Sequence, residues 1–487
     1  MSNLNRRQFL GRTVVAGIGA GFAIGGTKSS GRIIGANDAI RVGVAGLNGR
    51  GSAHVGAYSK IKGVDITYLI DPDSRTFEKH LGTIKKAGGS APKTIADVRQ
   101  ALEDKELDAI SIATPNHWHA LMTIWGCQAN KDVYVEKPAS HNIHEGRIAV
   151  EAARKYGRIV QHGTQNRSSK EWDKVAQAVK SGKYGKLKVS RALCYKSRPS
   201  IGFKPDAPAP SNLDFNLWTG PAAEVAFNKN LVHYNWHWFW NFGNGDIGNQ
   251  GVHEMDKARW LIPNATLPKS VISVGGRLGY EDQGQTANTQ IAVLDYGDAQ
   301  IIFEVRGLPT EKYHDQTVGN FAHMEEGILT VQPKEGAIFI PKGSDKAERL
   351  TGFDSTRGPS NAGEDAHFSN FVNAVRSRKN SDLNADILEG HYSSALCHLS
   401  NISYRLGKET AFDSDKNAFS GNEAATEAFQ RMEEHLKDNK VDLKTAKYQV
   451  GPKLSVDAKK ETLDLPEANK LLTRVYRKPF LVPDSIV

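Results

Sequence analysis

The sequence predicts an α/β protein: an N-terminal doubly wound parallel sheet, then a second α/β domain on an open, mainly antiparallel sheet. Three observations carry this expectation. From Ile40 to His162, short apolar runs alternate with amphipathic stretches. Beyond about Thr164 the texture changes, and strand-like runs follow one another. At 487 residues the chain is too long for one ordinary domain and suits two with extensions.

Ile40–Ala45, Ile66–Ile70, Ala109–Ala113, Val133–Glu136 and Ile159–His162 are near-continuous β-branched runs, as expected of strands buried on both faces. Leu121–Asn130 and His144–Tyr156 between them have helical spacing. In the second half, a helix-like Trp172–Lys180 leads to a strand-like Lys188–Tyr195 and a Pro-rich loop from Pro199 to Pro210. Val271–Val274, Thr289–Leu294, Gln300–Val305 and Ile328–Val331 read as strands of an open sheet with helices on one face. Phe368, Phe371, Val372 and Val375 form one stripe of a later helix, and the last 80 residues are polar and charged.

The net charge of +9 is unevenly placed. Arg6, Arg7, Arg12, Lys28 and Arg32 precede Asp38 without an acid among them, so the remainder carries +4. That balance gives no reason to expect a nucleic-acid partner. The Arg6-Arg7-Gln8-Phe9-Leu10 run and the Gly/Ala-rich stretch from Thr13 to Gly26 resemble a twin-arginine export signal, too short and glycine-rich for a stable membrane span. Cys127, Cys194 and Cys397 are few, odd in number and lack metal spacing, so they read as buried apolar residues.

Six constellations carry chemistry. Gly46-Leu47-Asn48-Gly49-Arg50-Gly51 joins the first strand to a helix, where glycines let a pyrophosphate approach the helix N-terminus. Asn48 holds the position usually taken by the second glycine, and a plain structural turn is the alternative. Asp71 ends the second strand, where a carboxylate accepts from an adenosine ribose and repels a 2′-phosphate. NAD is therefore favoured, and the nearby Arg75 leaves NADP open. Thr114, Pro115, Asn116 and His119 follow the Ala109–Ala113 strand, at the sheet edge where ligands sit, as cofactor contacts or as a helix cap with a packed histidine.

Glu136-Lys137-Pro138 reaches the same edge. A lysine there, its pKa lowered beside a cationic ring, polarises a substrate oxygen, and Pro138 fixes the turn. In Gly243–Asp256, helical spacing puts Asn249, His253 and Asp256 on one face. His253 would take an alcohol proton while a carboxylate holds its tautomer; a capped helix with a core histidine is the alternative. One histidine among acids is poor zinc spacing, so no metal is expected. Trp236, Trp238 and Trp240 suggest an aromatic wall for a sugar face, or else a core strand of period two. Gln165 and Arg167 lie where the chain passes between domains, facing a polyhydroxylated substrate or, for Arg167, an interdomain ion pair.

The order of glycine turn, Asp71, T-P-N-x-x-H, E-K-P and G-x-H-x-x-D helix resembles the Gfo/Idh/MocA oxidoreductases over about residues 38–410. The resemblance implies an N-terminal Rossmann domain, a catalytic lysine at Lys137 and a histidine at His253. It also implies a C-terminal domain whose open sheet forms a homodimer or homotetramer. Many members carry an aspartate where Asn249 stands, so either Asp246 or Asp256 would supply the carboxylate or the proton relay differs. The chain then divides into a signal and linker (1–37), an NAD(P)-binding domain (38–164), a substrate and oligomerisation domain (165–410), and a C-terminal helix and arm (411–487).

The expected activity is oxidation of a sugar, polyol or glycoside hydroxyl, with NAD tightly held through export to the periplasm. NAD-dependent glycoside cleavage through transient oxidation is the alternative, though the usual Tyr-Pro-Thr-His run is absent. A non-catalytic sugar-binding protein is the third.

Overall fold

A computed structural model describes residues 39–344, 346–355, 363–412 and 418–486. The twin-arginine pattern lies outside them. The first sheet holds β1 (Ile40–Ala45), β2 (Val64–Ile70), β3 (Lys93–Ile95), β4 (Ala109–Ile112), β5 (Asp132–Val135) and β6 (Val160–His162), in the order 3-2-1-4-5-6. Every pairing in it is parallel. This is the doubly wound Rossmann arrangement, and its strand order reverses between β1 and β4, where ligands bind. Helices α1 (Gly51–Tyr58), α2 (Asn116–Gln128) and α3 (Ile143–Lys155) leave the C-terminal strand ends and cover the sheet. Ile40, Val42 and Val44 of β1 are buried on one face and pack with Tyr134, Phe368, Phe371 and Val375. The predicted apolar stripe of the late helix therefore closes the core of the first sheet, not the second.

The second sheet has twelve strands, starting with β7 (Leu187–Tyr195) and continuing through β8 (Ser270–Gly276), β9 (Thr289–Asp295), β10 (Gln300–Arg306), β11 (Val318–Met324) and β12 (Gly327–Gln332). These six are antiparallel neighbours except for the parallel pair β7 and β10. Helices α4 (Lys170–Ser181), α5 (Gly251–Leu261) and α6 (Ile387–Arg405) share one apolar cluster with one face of this sheet. The other face is covered by α7 (Glu423–Asp438), whose Phe429, Met432 and Leu436 pack on Val189, Val274, Ile291 and Ile302. Much of the face that the resemblance assigns to subunit contact is thus occupied by the chain's own helix. The C-terminal arm returns to the first domain, where Phe480 meets Trp118 edge-on at 5.3 Å. All three cysteines are buried and free. Among the described residues no helix is long and apolar enough to cross a membrane.

Candidate active site

The glycine turn after β1 is required by its own geometry. Gly46 and Gly49 have φ of +82° and +80°, in the left-handed region that penalises a side chain. A Cβ on Gly51 would sit 1.9 Å from the Gly46 oxygen, and one on Gly46 would sit 2.5 Å from the Thr114 nitrogen. Asp71 braces the turn: its carboxylate accepts from Leu47 N–H at 2.7 Å and from Asp73 N–H at 2.9 Å. Burial pushes the Asp71 carboxyl up, and these amides pull it back. Each oxygen keeps a lone pair for a ribose hydroxyl.

A cavity of about 260 Å³ runs along the sheet edge from this turn. Gly46, Asn48, Gly49, Arg50 and Asp71 line one end, and Lys137 and Asn249 also line it. Thr114, Pro115, Asn116 and His119 line its wall. Thr114 Oγ1 is buried there without a hydrogen-bond partner. An orphaned hydroxyl, a glycine cradle that any Cβ would fill, and an uncapped α1 together fit a dinucleotide. His119 has a positioning role. Its ring nitrogens face Pro138 O at 2.6 Å and Thr114 O at 2.7 Å, tying two strand-end loops together.

Glu136 is the hub of a polar network at the cavity. Its carboxylate accepts from Arg50 Nε at 2.8 Å, His54 Nε2 at 3.1 Å and Gln165 Nε2 at 3.1 Å. Burial works to raise its pKa, yet Arg50, His54 and Lys137 hold it well below the carboxylate range. Gln165 therefore supports Glu136, also reaches Tyr134 Oη at 3.1 Å, and is not among the residues that line the cavity. Lys137 Nζ donates to Asn249 O at 3.1 Å and to Asn249 Oδ1 at 3.3 Å. Burial lowers the Lys137 pKa, against the pull of Glu136. Burial and the Lys137 charge hold His253 well below its usual value, so the ring is neutral, and its Nδ1 is buried without a partner.

The single-face reading of Asn249, His253 and Asp256 is corrected. The helix breaks: one turn ends at Gly248, Asn249 stands at φ −98° and ψ −92°, and α5 starts at Gly251. Asn249 turns to Lys137. Asp256 instead holds Arg167 through two bonds of 2.9 Å and accepts from Ser393 Oγ at 2.7 Å. Arg167 also meets Glu389 at 3.2 Å, so it is a buried ion-pair residue within the second domain, and it is not among the residues that line the cavity. Asp246 pairs with Arg198 at 2.9 and 3.2 Å. Neither aspartate hydrogen-bonds His253, because each carboxylate has an arginine at better geometry.

The aromatic wall is displaced as well. Residues Asn235–Trp238 form a 3₁₀ turn, which breaks the strand alternation and sends Trp236 and His237, stacked at 3.6 Å, to the cavity. Trp238 packs under Arg198, its ring centre 5.5 Å away. Trp240 lies in a separate cleft.

Sequence reasoning missed the cover. The chain between about 212 and 237 folds back over the first domain and places Leu217, Trp218, His233 and Tyr234 on the cavity. Ser74 N–H donates to Asn212 O, Asp214 N–H donates to Pro72 O, and His233 Nε2 meets Asp73 at 2.7 Å. The available signal was a long stretch without regular strands, rich in Asn and aromatic residues, which is where covering loops occur. Among the described residues no group of three or more His, Cys, Asp or Glu could hold a metal.

Comparison with known proteins accords with this geometry. Residues 40–164 match the oxidoreductase family with an NAD-binding Rossmann fold, and 181–313 with 359–437 match the family's C-terminal α/β domain. A glycosyl hydrolase family 109 protein of Solibacter usitatus is 32% identical over 154 residues, covering 30% of this chain and 35% of that protein. A myo-inositol 2-dehydrogenase of Thermotoga maritima is 26% identical over 257 residues, covering 52% of this chain and 64% of that protein. The chain therefore spans less than two thirds of either relative. The WlbA dehydrogenase of Bordetella pertussis, solved with NADH and UDP-GlcNAcA, superposes with a TM-score of 0.53 at 18% identity. The superposition covers 73% of this chain and 93% of that one, a likeness of fold. Both domains match one family, in that family's order and over the residues that build the cavity, so the chain belongs to the Gfo/Idh/MocA oxidoreductases, with NAD(H) as cofactor.

Proposed function

We propose that this protein oxidises a CH–OH group of a sugar, polyol or glycoside, with Lys137 and His253 as its acid–base pair. The observation that supports this best is the place of Lys137. Its side chain lines the cavity that begins at the glycine turn, and it is anchored on Asn249, in the segment leading into His253. Bound NAD supplies the hydride acceptor. Lys137 Nζ donates to the substrate oxygen and makes that hydroxyl more acidic. Glu136, ionised beside it, opposes the loss of the Lys137 proton that burial favours. His253, uncharged and four residues beyond Asn249, would take the hydroxyl proton. The 212–237 cover excludes water from the sheet edge.

The same cover favours a cofactor that is held tightly. The N-terminal arginine pair suggests loading before export to the periplasm, so the cofactor would be recycled in place. A second reading, glycoside cleavage through transient oxidation, is favoured by the Solibacter usitatus relative's name. A sugar-binding role without catalysis is disfavoured by the intact Lys137 and His253. We read the assembly as a homodimer or homotetramer, to be tested by light scattering.

The deciding experiment uses protein purified with its nucleotide and a panel of sugars and glycosides, following the absorbance of bound reduced nicotinamide. Lasting reduction by one sugar, reversed by a second, is the expected result. Transient reduction with release of a free sugar would establish the cleavage reading. No signal even with NAD supplied would leave only the binding-protein reading.

A further inference from the structure

A second cavity, of about 490 Å³, lies behind the first and shares none of its lining residues. It opens between the start of α3, the C-terminal half of α6 and the arm at 470–474. A chain of side chains separates the two: Asn116 Nδ2 donates to Asn244 Oδ1 at 3.2 Å, and Asn244 Nδ2 donates to His141 O at 3.1 Å.

Its floor holds polar groups that the protein does not satisfy. His141 is 8% exposed, and neither ring nitrogen has a partner. His398 is 4% exposed. Its Nε2 donates to Ser140 O at 3.0 Å, which makes Nδ1 the acceptor, and Nδ1 has no partner. Burial, reinforced at His141 by Arg474, holds His141 well below its usual pKa, so its ring offers one donor and one acceptor. Such a pair suits hydroxyl groups, which both give and take.

The walls and rim are cationic. Arg474 gives one nitrogen to Asn241 O at 2.8 Å, while its Nε and Nη2 are buried without hydrogen-bond partners. Glu145 lies 3.6 Å from Nε. Arg405 and Lys470 are exposed at the mouth, and the Arg405 guanidinium stands 5.0 Å over the Trp240 ring. No carboxylate is among the described residues that line the cleft.

We propose that this cleft is a second ligand site, for a small polyhydroxylated anion such as a sugar acid or a sugar phosphate. The acid group meets Arg405, Lys470 and Arg474, the hydroxyls reach His141 and His398, and Trp240 flanks the ring. The site stands independently of the proposed oxidation at Lys137.

The test is calorimetric titration of the full chain, its nucleotide retained, with glucuronate, glucose 6-phosphate, inorganic phosphate and glucose. One acidic sugar is expected to saturate a single site, with glucose and inorganic phosphate each about tenfold weaker or more. Which acid binds distinguishes carboxylate from phosphate. The double variant R405A/K470A, at two exposed side chains, should weaken that binding about tenfold and leave nucleotide affinity unchanged. Trp240→Phe should remove the accompanying change in tryptophan fluorescence. Absence of saturation by either acid overturns the proposal, as does phosphate binding as tightly as the sugar phosphate. Binding that survives R405A/K470A but is lost in Lys137→Ala places the ligand in the first cavity and also overturns it.

Discussion

Glu136 and Asp256 are two buried carboxylates built alike, each 3% exposed or less, each bonded to an arginine, each held low against the effect of burial. They differ in what their networks reach. Glu136 is tied to Arg50 and sits next to Lys137, and all three line the first cavity. Asp256 directs both oxygens to Arg167 and Ser393, between α5 and α6, and lines neither cavity. A depressed pKa thus points to a ligand site only where the network opens onto a cavity; elsewhere it marks an ion pair that holds packed elements of one domain together.

The largest effect expected to separate the two is at the lysine. Lys137→Ala should lower kcat about 10³-fold, roughly 4 kcal/mol of barrier, with nucleotide affinity little changed. Near-normal turnover of that variant would erase the distinction. Asp256→Ala should act on stability instead, costing about 3 kcal/mol in denaturant unfolding because it removes one of the two carboxylates paired with the buried Arg167, while the folded protein still turns over. A collapse of turnover at unchanged stability would return Asp256 to the acid–base machinery.

Acid sharpens the contrast further. The folded-state pKa of Asp256 is about 2 against an ordinary 3.8. A depressed carboxyl contributes stability that is complete above about pH 4 and is lost as pH falls towards about 2, here about 2 kcal/mol. Asp256→Asn should flatten that part of the acid-unfolding curve, and an unchanged curve would show that other carboxylates dominate it. The smallest effect is expected at the cover. His233→Ala removes the contact to Asp73 and should speed nucleotide release several-fold in a stopped-flow chase. An unchanged rate would mean that the cover does not control release.

Local patterns were legible wherever one element decides the outcome. The five expected parallel strands are present, and β3 was missed because Lys93–Ile95 is a short, mostly exposed edge strand without an apolar run. The glycine turn, Asp71, Thr114 and Lys137 all reach one cavity because consecutive parallel strands deliver their C-terminal ends to one edge. Helical spacing failed for Asn249 because the helix is interrupted there, and period-two spacing failed for Trp236 to Trp240 because a tight turn replaces a strand. Phe368 and Phe371 do share one helix face, as their spacing suggested, but nothing local says against which sheet that face packs.

The amino-acid sequence by itself determined the doubly wound sheet, the nucleotide turn and the strand-end lysine. Each rests on backbone conformation and burial within a few residues, which composition and spacing report directly. Tertiary structure alone decided which acid meets which base. Arg167 met Asp256, Arg198 met Asp246 and Asn249 met Lys137 only after distant segments packed together, since an ion pair or hydrogen bond is chosen by distance and desolvation in the folded interior. The cover over the nucleotide cavity and the helix that hides the second sheet arose in the same way, from chain returning to surfaces that no local pattern identifies.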